Sequence, residues 1–150
     1  MTPPAKKRVL FVCIGNACRS QMAEGFARAL GGDVMIPASV GLAPALAIAP
    51  DTIRAMDEKN IDLRDHFPKS LRHLGRADFD LVINMAGFFL PKEFKGRVVD
   101  WEVADPVFMD YVEHCEVRDT IEQLVMKLVV ELRVAPPTLF RGQGSGRLEL

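Results

Sequence analysis

Short continuous apolar runs alternate along this chain with segments whose apolar residues recur every three to four positions. Arg8 to Val12, RVLFV, is β-branched, aromatic and apolar beyond its first residue, the pattern of a strand buried on both faces of a parallel sheet. It belongs at the sheet centre. Ser20 to Leu30 spaces Met22, Phe26 and Leu30 at i, i+4 and i+8, a helical stripe that Gly31 and Gly32 stop. Val34 to Ser39, VMIPAS, predicts a second strand, placed at the sheet edge because Pro37 removes a ladder donor. Pro50 to Lys59 predicts a helix with Pro50 in its first turn and Ile53 and Met56 toward the core. A short helical turn is expected within Pro68 to Leu74. Phe79 to Ile83 and Arg97 to Val99 read as third and fourth strands. The clearest helix carries Ile121, Leu124, Val125, Leu128, Val129 and Leu132 on one face, as a helix packed on a sheet does.

Strands alternating with helices predict an α/β fold, a doubly wound parallel sheet whose ligand lies beyond the carboxyl ends of the strands. The first strand ends at Cys13. From there VCIGNACRSQ, Val12 to Gln21, separates Cys13 from Arg19 by five residues, with Ser20 next and Gly15 and Asn16 inside the turn. A thiolate is a nucleophile, and a guanidinium matches two oxygens of a tetrahedral anion. Backbone N–H groups between strand and helix can curl into an anion nest, for which Gly15 and Asn16 tolerate positive φ. Arg19 suits the positive end of a helix dipole poorly unless an anion sits beside it. The same dipole, Arg19 and a hydroxyl from Ser20 would favour the Cys13 thiolate. A nucleotide-binding loop would need Gly-Lys-Ser/Thr, and this one has no Lys.

Composition narrows the setting. The 150 residues suit one domain, and 19 basic against 20 acidic residues give a net charge of -1, which offers no global field for nucleic acid or a membrane surface. Three cysteines without a Cys-x2-Cys pair argue against a disulfide framework and a zinc site. The start, MTPPAKKR, leads into an apolar run far below signal-peptide or membrane-span length, so a soluble cytoplasmic protein is expected. Residues 134–150, rich in Pro and Gly, read as a loosely ordered tail. His66, His73 and His114 are scattered and read as surface residues without a role.

The segment VCIGNACRSQMAEG, the stretch Ala38-Ser39-Val40-Gly41 and the late Asp105-Pro106 together resemble the low-molecular-weight protein tyrosine phosphatase superfamily, which also contains arsenate reductases of similar fold. The resemblance spans roughly residues 7 to 133, so residues 1–133 are expected to form the catalytic domain. It implies a flavodoxin-like three-layer sandwich, a four-stranded parallel sheet of order 2-1-3-4 flanked by helices. It also implies catalytic roles for Cys13, Arg19 and Asp105, and oxyanion binding by Ile14, Gly15, Asn16, Ala17, Cys18, Arg19 and Ser20. Asn16 would hold a left-handed conformation and bond Ser39, making Ser20 and Ser39 supports. Asp105 read from the residues alone is an Asp-Pro turn initiator; the resemblance makes it the general acid. The implied mechanism is in-line attack by Cys13 on phosphorus, protonation of the leaving group by Asp105, then hydrolysis of phosphocysteine with Asp105 as base. No metal and no cofactor are called for, because Arg19 and the loop amides hold the charge.

The substrate is the open part of this reading. A cysteine-dependent phosphatase of phosphate monoesters is favoured, with a phosphorylated protein, phosphotyrosine included, or a small phosphate ester as partner. Against an aromatic substrate, Val107 and Phe108 stand after Asp-Pro where the phosphatases usually place aromatic residues, and Leu42 to Ala49 has no aromatic. Gln21 and Val117-Arg118-Asp119 resemble the arsenate reductases instead, which makes arsenate with an external thiol reductant the alternative. Reductases that couple to thioredoxin carry two cysteines after the third strand, whereas INMAGFFLPKEF has none. Cys115 is expected to be a buried structural thiol. Cys18 reads either as a small apolar loop residue or, by the resemblance, as partner of Cys13 in a reversible protective disulfide. A non-catalytic oxyanion or phosphoprotein-binding module is the third reading, and no signal fixes an oligomeric state.

Overall fold

RVLFV lies inside β1, Lys7–Cys13, the second strand of a parallel sheet. The computed structural model describes residues 5–75, 78–134 and 147–148. After β1 come α1, Arg19–Gly31, β2, Met35–Gly41, α2, Pro50–Asp57, and the single turn α3, Leu71–Leu74. The chain continues through β3, Asp78–Asn84, β4, Lys95–Asp100, a 3₁₀ turn at Pro106–Phe108, α4, Tyr111–Val134, and β5, Arg147–Leu148. Among the described residues the order is β2-β1-β3-β4-β5, every pair parallel. The expected four-stranded 2-1-3-4 sheet is there, with β2 and its Pro37 at the rim, and the two residues of β5 add to β4. Of the expected tail, Val134 closes α4 and Arg147–Leu148 form β5; the remainder lies outside the described residues.

Side chains of β1 alternate between two cores, as a strand's period of two requires. Val9 and Phe11 face α1 and α4, while Leu10 and Val12 face Phe79, Val82 and a thinner cover from Leu71, Leu74, Leu90 and Phe94. The α4 stripe packs as its spacing predicts: Ile121, Val125, Leu128, Val129 and Leu132 are buried, and Leu124 is half-buried against the same cluster. The α1 stripe is less faithful, because Leu30 is 38% exposed while Ala23 and Ala27 are buried. Val117-Arg118-Asp119, expected ahead of the last helix, lies inside α4.

Strand register brings the site together. Cys13 pairs with Gly41, Val12 with Asn84, and Asn84 with Asp100, so the loops beginning at Leu42, Met85 and Trp101 leave one edge of the sheet beside the Cys13 loop. Close packing of the first two depends on Gly41. A Cβ there would stand 2.7 Å from the Ile14 carbonyl oxygen and 2.8 Å from the Asn16 nitrogen.

Candidate active site

Residues 14–18 join the end of β1 to the start of α1, and their peptide groups have a consistent orientation. The carbonyls of Cys13, Ile14, Gly15 and Ala17 accept from the amides of Leu42, Ala43, Ala45 and Ala49 at 2.8–3.2 Å. In a planar trans peptide the next residue's N–H points the opposite way. The N–H groups of Ile14, Gly15, Asn16 and Cys18 are therefore turned inward, and that of Asn16 donates to Cys13 Sγ at 3.3 Å. Such converging donors form an anion nest at the positive end of α1, whose first turn contains no acid. The left-handed position is Asn16, at φ 52°; Gly15, expected to share that role, does not have positive φ.

Behind the nest, Asn16 Nδ2 donates to Ser20 Oγ at 2.7 Å and to Ser39 Oγ at 3.0 Å. Its Oδ1 accepts from Gln21 Nε2 at 2.9 Å and from the Lys69 amide at 3.0 Å. With both donors and both lone pairs used, this amide has one orientation. Ser20 Oγ lies 2.8 Å from Cys13 Sγ, and because it accepts from Asn16 its own proton is available to the sulfur. Ser39 donates onward to Glu24 Oε1 at 2.6 Å. Glu24 is a buried carboxylate, compensated by Arg28 at 2.8 Å and Lys69 at 3.7 Å, with His66 Nδ1 3.9 Å away. Burial pushes the Lys69 ammonium below its ordinary range, with Glu24 pulling the other way.

Arg19 is buried, its Nη1 donating to the carbonyls of Met85 and Val103 and its Nη2 lying 3.4 Å from Asp105 Oδ2. Asp105 is 43% exposed at its side chain and caps the 3₁₀ turn by accepting from the Val107 amide. The fold thus brings Cys13, Arg19, Ser20, Ser39 and Asp105 to one place from four separate segments. Val107 and Phe108, beside Asp105, are exposed.

The model of the low-molecular-weight phosphotyrosine protein phosphatase family matches residues 8–136. The chain belongs to that family. Within it, a relative named glutaredoxin arsenate reductase, from Synechocystis sp., is 33% identical over 84% of this chain and 98% of its own. A solved arsenate reductase in the phosphate-binding state superposes with a TM-score of 0.76 at 33% identity, covering 84% of this chain and 98% of that one. A low-molecular-weight protein tyrosine phosphatase from T. tengcongensis reaches 0.66 at 29% identity, covering 84% and 99%.

Cys115, His66 and His114 stand apart from their expected places, and Cys18 does not. Cys18 is buried in the loop, its thiol pushed up to about 11 by burial, with a hydrogen bond from Thr52 opposing the rise. Cys115, expected buried, is half-buried on α4, its thiol 3.5 Å from Glu58 Oε2. The histidines are not a surface set: His114 is 2% exposed and bonded to Thr52, and half-buried His66 meets Gln21 Oε1 at 3.0 Å. Among the described residues no group of three His, Cys, Asp or Glu could hold a metal, and no helix is long and apolar enough to cross a membrane. Glu24 and Lys69 escaped sequence reasoning. A signal existed for Glu24: Asn16, Ser20, Glu24 and Arg28 fall at intervals of four, a polar line beside the apolar stripe.

Proposed function

We propose that this chain reduces arsenate, with Cys13 as nucleophile and an external thiol as reductant. The observation that carries the reading is similarity over nearly the whole length of a relative named glutaredoxin arsenate reductase. The inward amides of Ile14, Gly15, Asn16 and Cys18 and the charge of Arg19 suit a tetrahedral oxyanion. Cys13 attacks arsenic, the S–As bond forms, and one oxygen leaves as water with a proton from Asp105. An incoming thiol then attacks Cys13 Sγ. The S–As bond breaks with its electron pair kept on arsenic, which leaves as arsenite, and the sulfurs form a mixed disulfide. A second thiol restores Cys13 and carries away the oxidised pair. The reductant is external because Cys18 is held as a buried thiol, Cys115 is engaged with Glu58, and no cysteine follows β3 before Cys115.

A specific observation favours a second reading, hydrolysis of phosphate monoesters through phosphocysteine. Asp105 stands 3.4 Å from Arg19 and is solvent-accessible, a position from which a carboxyl can protonate an ester oxygen and then activate water. The two readings part in one assay series. Arsenite should form from arsenate only when a thiol system (glutathione with glutaredoxin, mycothiol or thioredoxin) is supplied, and not in Cys13→Ser. Metal-independent hydrolysis of an aryl phosphate without arsenate turnover would replace the first reading by the second. Phosphate binding with neither reaction would leave an oxyanion-binding module.

A further inference from the structure

Two backbone carbonyls from different loops hold Arg19. Its Nη1 donates to Met85, the first residue after β3, and to Val103, three residues after β4. Nη1 has two protons, and both are spent on those carbonyls, which leaves Nε and Nη2 as the donors for an anion. The segment that presents the Met85 carbonyl, Met85 to Phe88, lies outside helix and strand. One side chain shapes it. Asn84, the last residue of β3 and 4% exposed, accepts from the Ala86 amide at Oδ1 at 2.9 Å. Its Nδ2 donates to the Phe88 carbonyl at 2.7 Å and to Asp100 Oδ1 at 3.0 Å. The first bond spans the Met85 peptide; the second closes the turn, which reverses at Gly87 with φ 85°. The third reaches the last residue of β4. Only one orientation of the amide satisfies all three. Backbone bonds brace the same point, since the Met85 amide donates to the Val12 carbonyl at 2.8 Å and the Trp101 amide to that of Asn84 at 2.9 Å.

We propose that Asn84 is a positioning residue for Arg19, fixing the Met85–Phe88 turn so that the Met85 carbonyl, together with that of Val103, sets the direction of the guanidinium fork. The consequence for turnover rests on the reading of Arg19 as the cation that meets the oxyanion, which arsenate reduction and ester hydrolysis share. Both carbonyls depend on Asn84. It shapes the Met85 loop directly, and its bonds to Asp100 and Trp101 tie it to the end of β4, from which the chain runs through Glu102 to Val103. A planar guanidinium that tilts loses its match to two oxygens at once, whereas a point charge tolerates the same tilt. Asn84 itself touches no reacting atom, because its three side-chain bonds all go to protein groups.

Asn84→Ala removes all three side-chain bonds. Asn84→Ser keeps a hydroxyl that can accept from the amide two residues on, as Ser does in turns, so the two variants differ chiefly in the bond that spans Met85. In Asn84→Ala, inorganic phosphate should bind about tenfold more weakly by calorimetry. Turnover of arsenate or aryl phosphate, whichever the wild type accepts, should fall about ten- to a hundredfold in kcat/KM. Asn84→Ser should recover part of both losses. NMR of the Arg19 side chain reads the positioning itself: with Nη1 bound to two carbonyls its two protons should give distinct resonances in the wild type, and Asn84→Ala should average them. In an Arg19→Lys background Asn84→Ala should cost less than about twofold further in turnover, since its effect passes through the guanidinium fork. Nη1 protons already averaged in the wild type or still distinct in Asn84→Ala, or a full additional loss in the Arg19→Lys background, would overturn the proposal. If Asn84→Ala does not fold, Asn84→Ser decides by the same readouts. Should the wild type neither bind phosphate nor turn over either oxyanion, the reading of Arg19 falls, and the Nη1 resonances still decide the positioning.

Discussion

Asn16 uses every hydrogen bond its side chain can make, and it does so at a left-handed φ that few side chains tolerate. Two substitutions separate those contributions. Asn16→Gly keeps the backbone conformation and loses the amide, while Asn16→Ala loses both, so Ala should be less stable than Gly by about 1 kcal/mol in denaturant unfolding. Both should lower kcat through the loss of orientation at Ser20 and Cys13. Gly41 is tested similarly, because an added Cβ meets loop backbone, which cannot swing aside as a side-chain end can. Gly41→Ala should cost about 1–3 kcal/mol and weaken phosphate binding measured by calorimetry. At this scale the placement of Cys13 and Arg19 at the two ends of one loop was legible, because their spacing sets them between a strand and a helix. Glu24 to Ser39, Asn16 to Lys69 and Thr52 to His114 were not, since they join residues 15, 53 and 62 positions apart, whose meeting depends on the whole sheet.

Element by element, the apolar period was the dependable guide and its drift the source of error. At 3.6 residues per turn, each step of four residues rotates about 40° past a full turn, so by i+8 Leu30 has moved about 80° from Met22. It emerges into solvent as α1 ends, and Ala23 and Ala27 fill the buried face instead. The α4 stripe escapes this because it steps by three and four in turn. Ile121→Ala, at a fully buried position, should therefore destabilise by about 2–5 kcal/mol, and half-buried Leu124→Ala by distinctly less, both read from unfolding midpoints. Cys115 was misread for a related reason: α4 begins at Tyr111, and its polar first turns carry Cys115 to the half-exposed side with Glu58.

Across the whole molecule, strand order and the edge position of β2 followed from alternation and from Pro37, whereas β5 had no signal in a segment of two residues. One buried group links the fold to pH. Burial holds the His114 imidazole below its ordinary range against the opposing pull of Asp51 and Asp105, while Thr52 Oγ1 lies 2.9 Å from its Nε2. With the folded value below the unfolded 6.5, the unfolded chain binds the extra proton first. Stability should thus be level in this respect above that pH, fall as pH drops through it, and stop falling below the folded value. His114→Gln should flatten that slope in unfolding measured across pH.

The substrate was the least legible property, because phosphate and arsenate ask the same things of Cys13, the inward amides and Arg19. Absence of a cysteine pair after β3 pointed toward phosphate, while Gln21, seated between Asn16 and Phe67, and the relatives point toward arsenate. The most direct measurement is arsenite production from arsenate by the purified chain, with each thiol system in turn, beside Cys13→Ser. Turnover that requires both Cys13 and an added thiol is the predicted result. Arsenite formed by Cys13→Ser, or none formed with any thiol system, would contradict it.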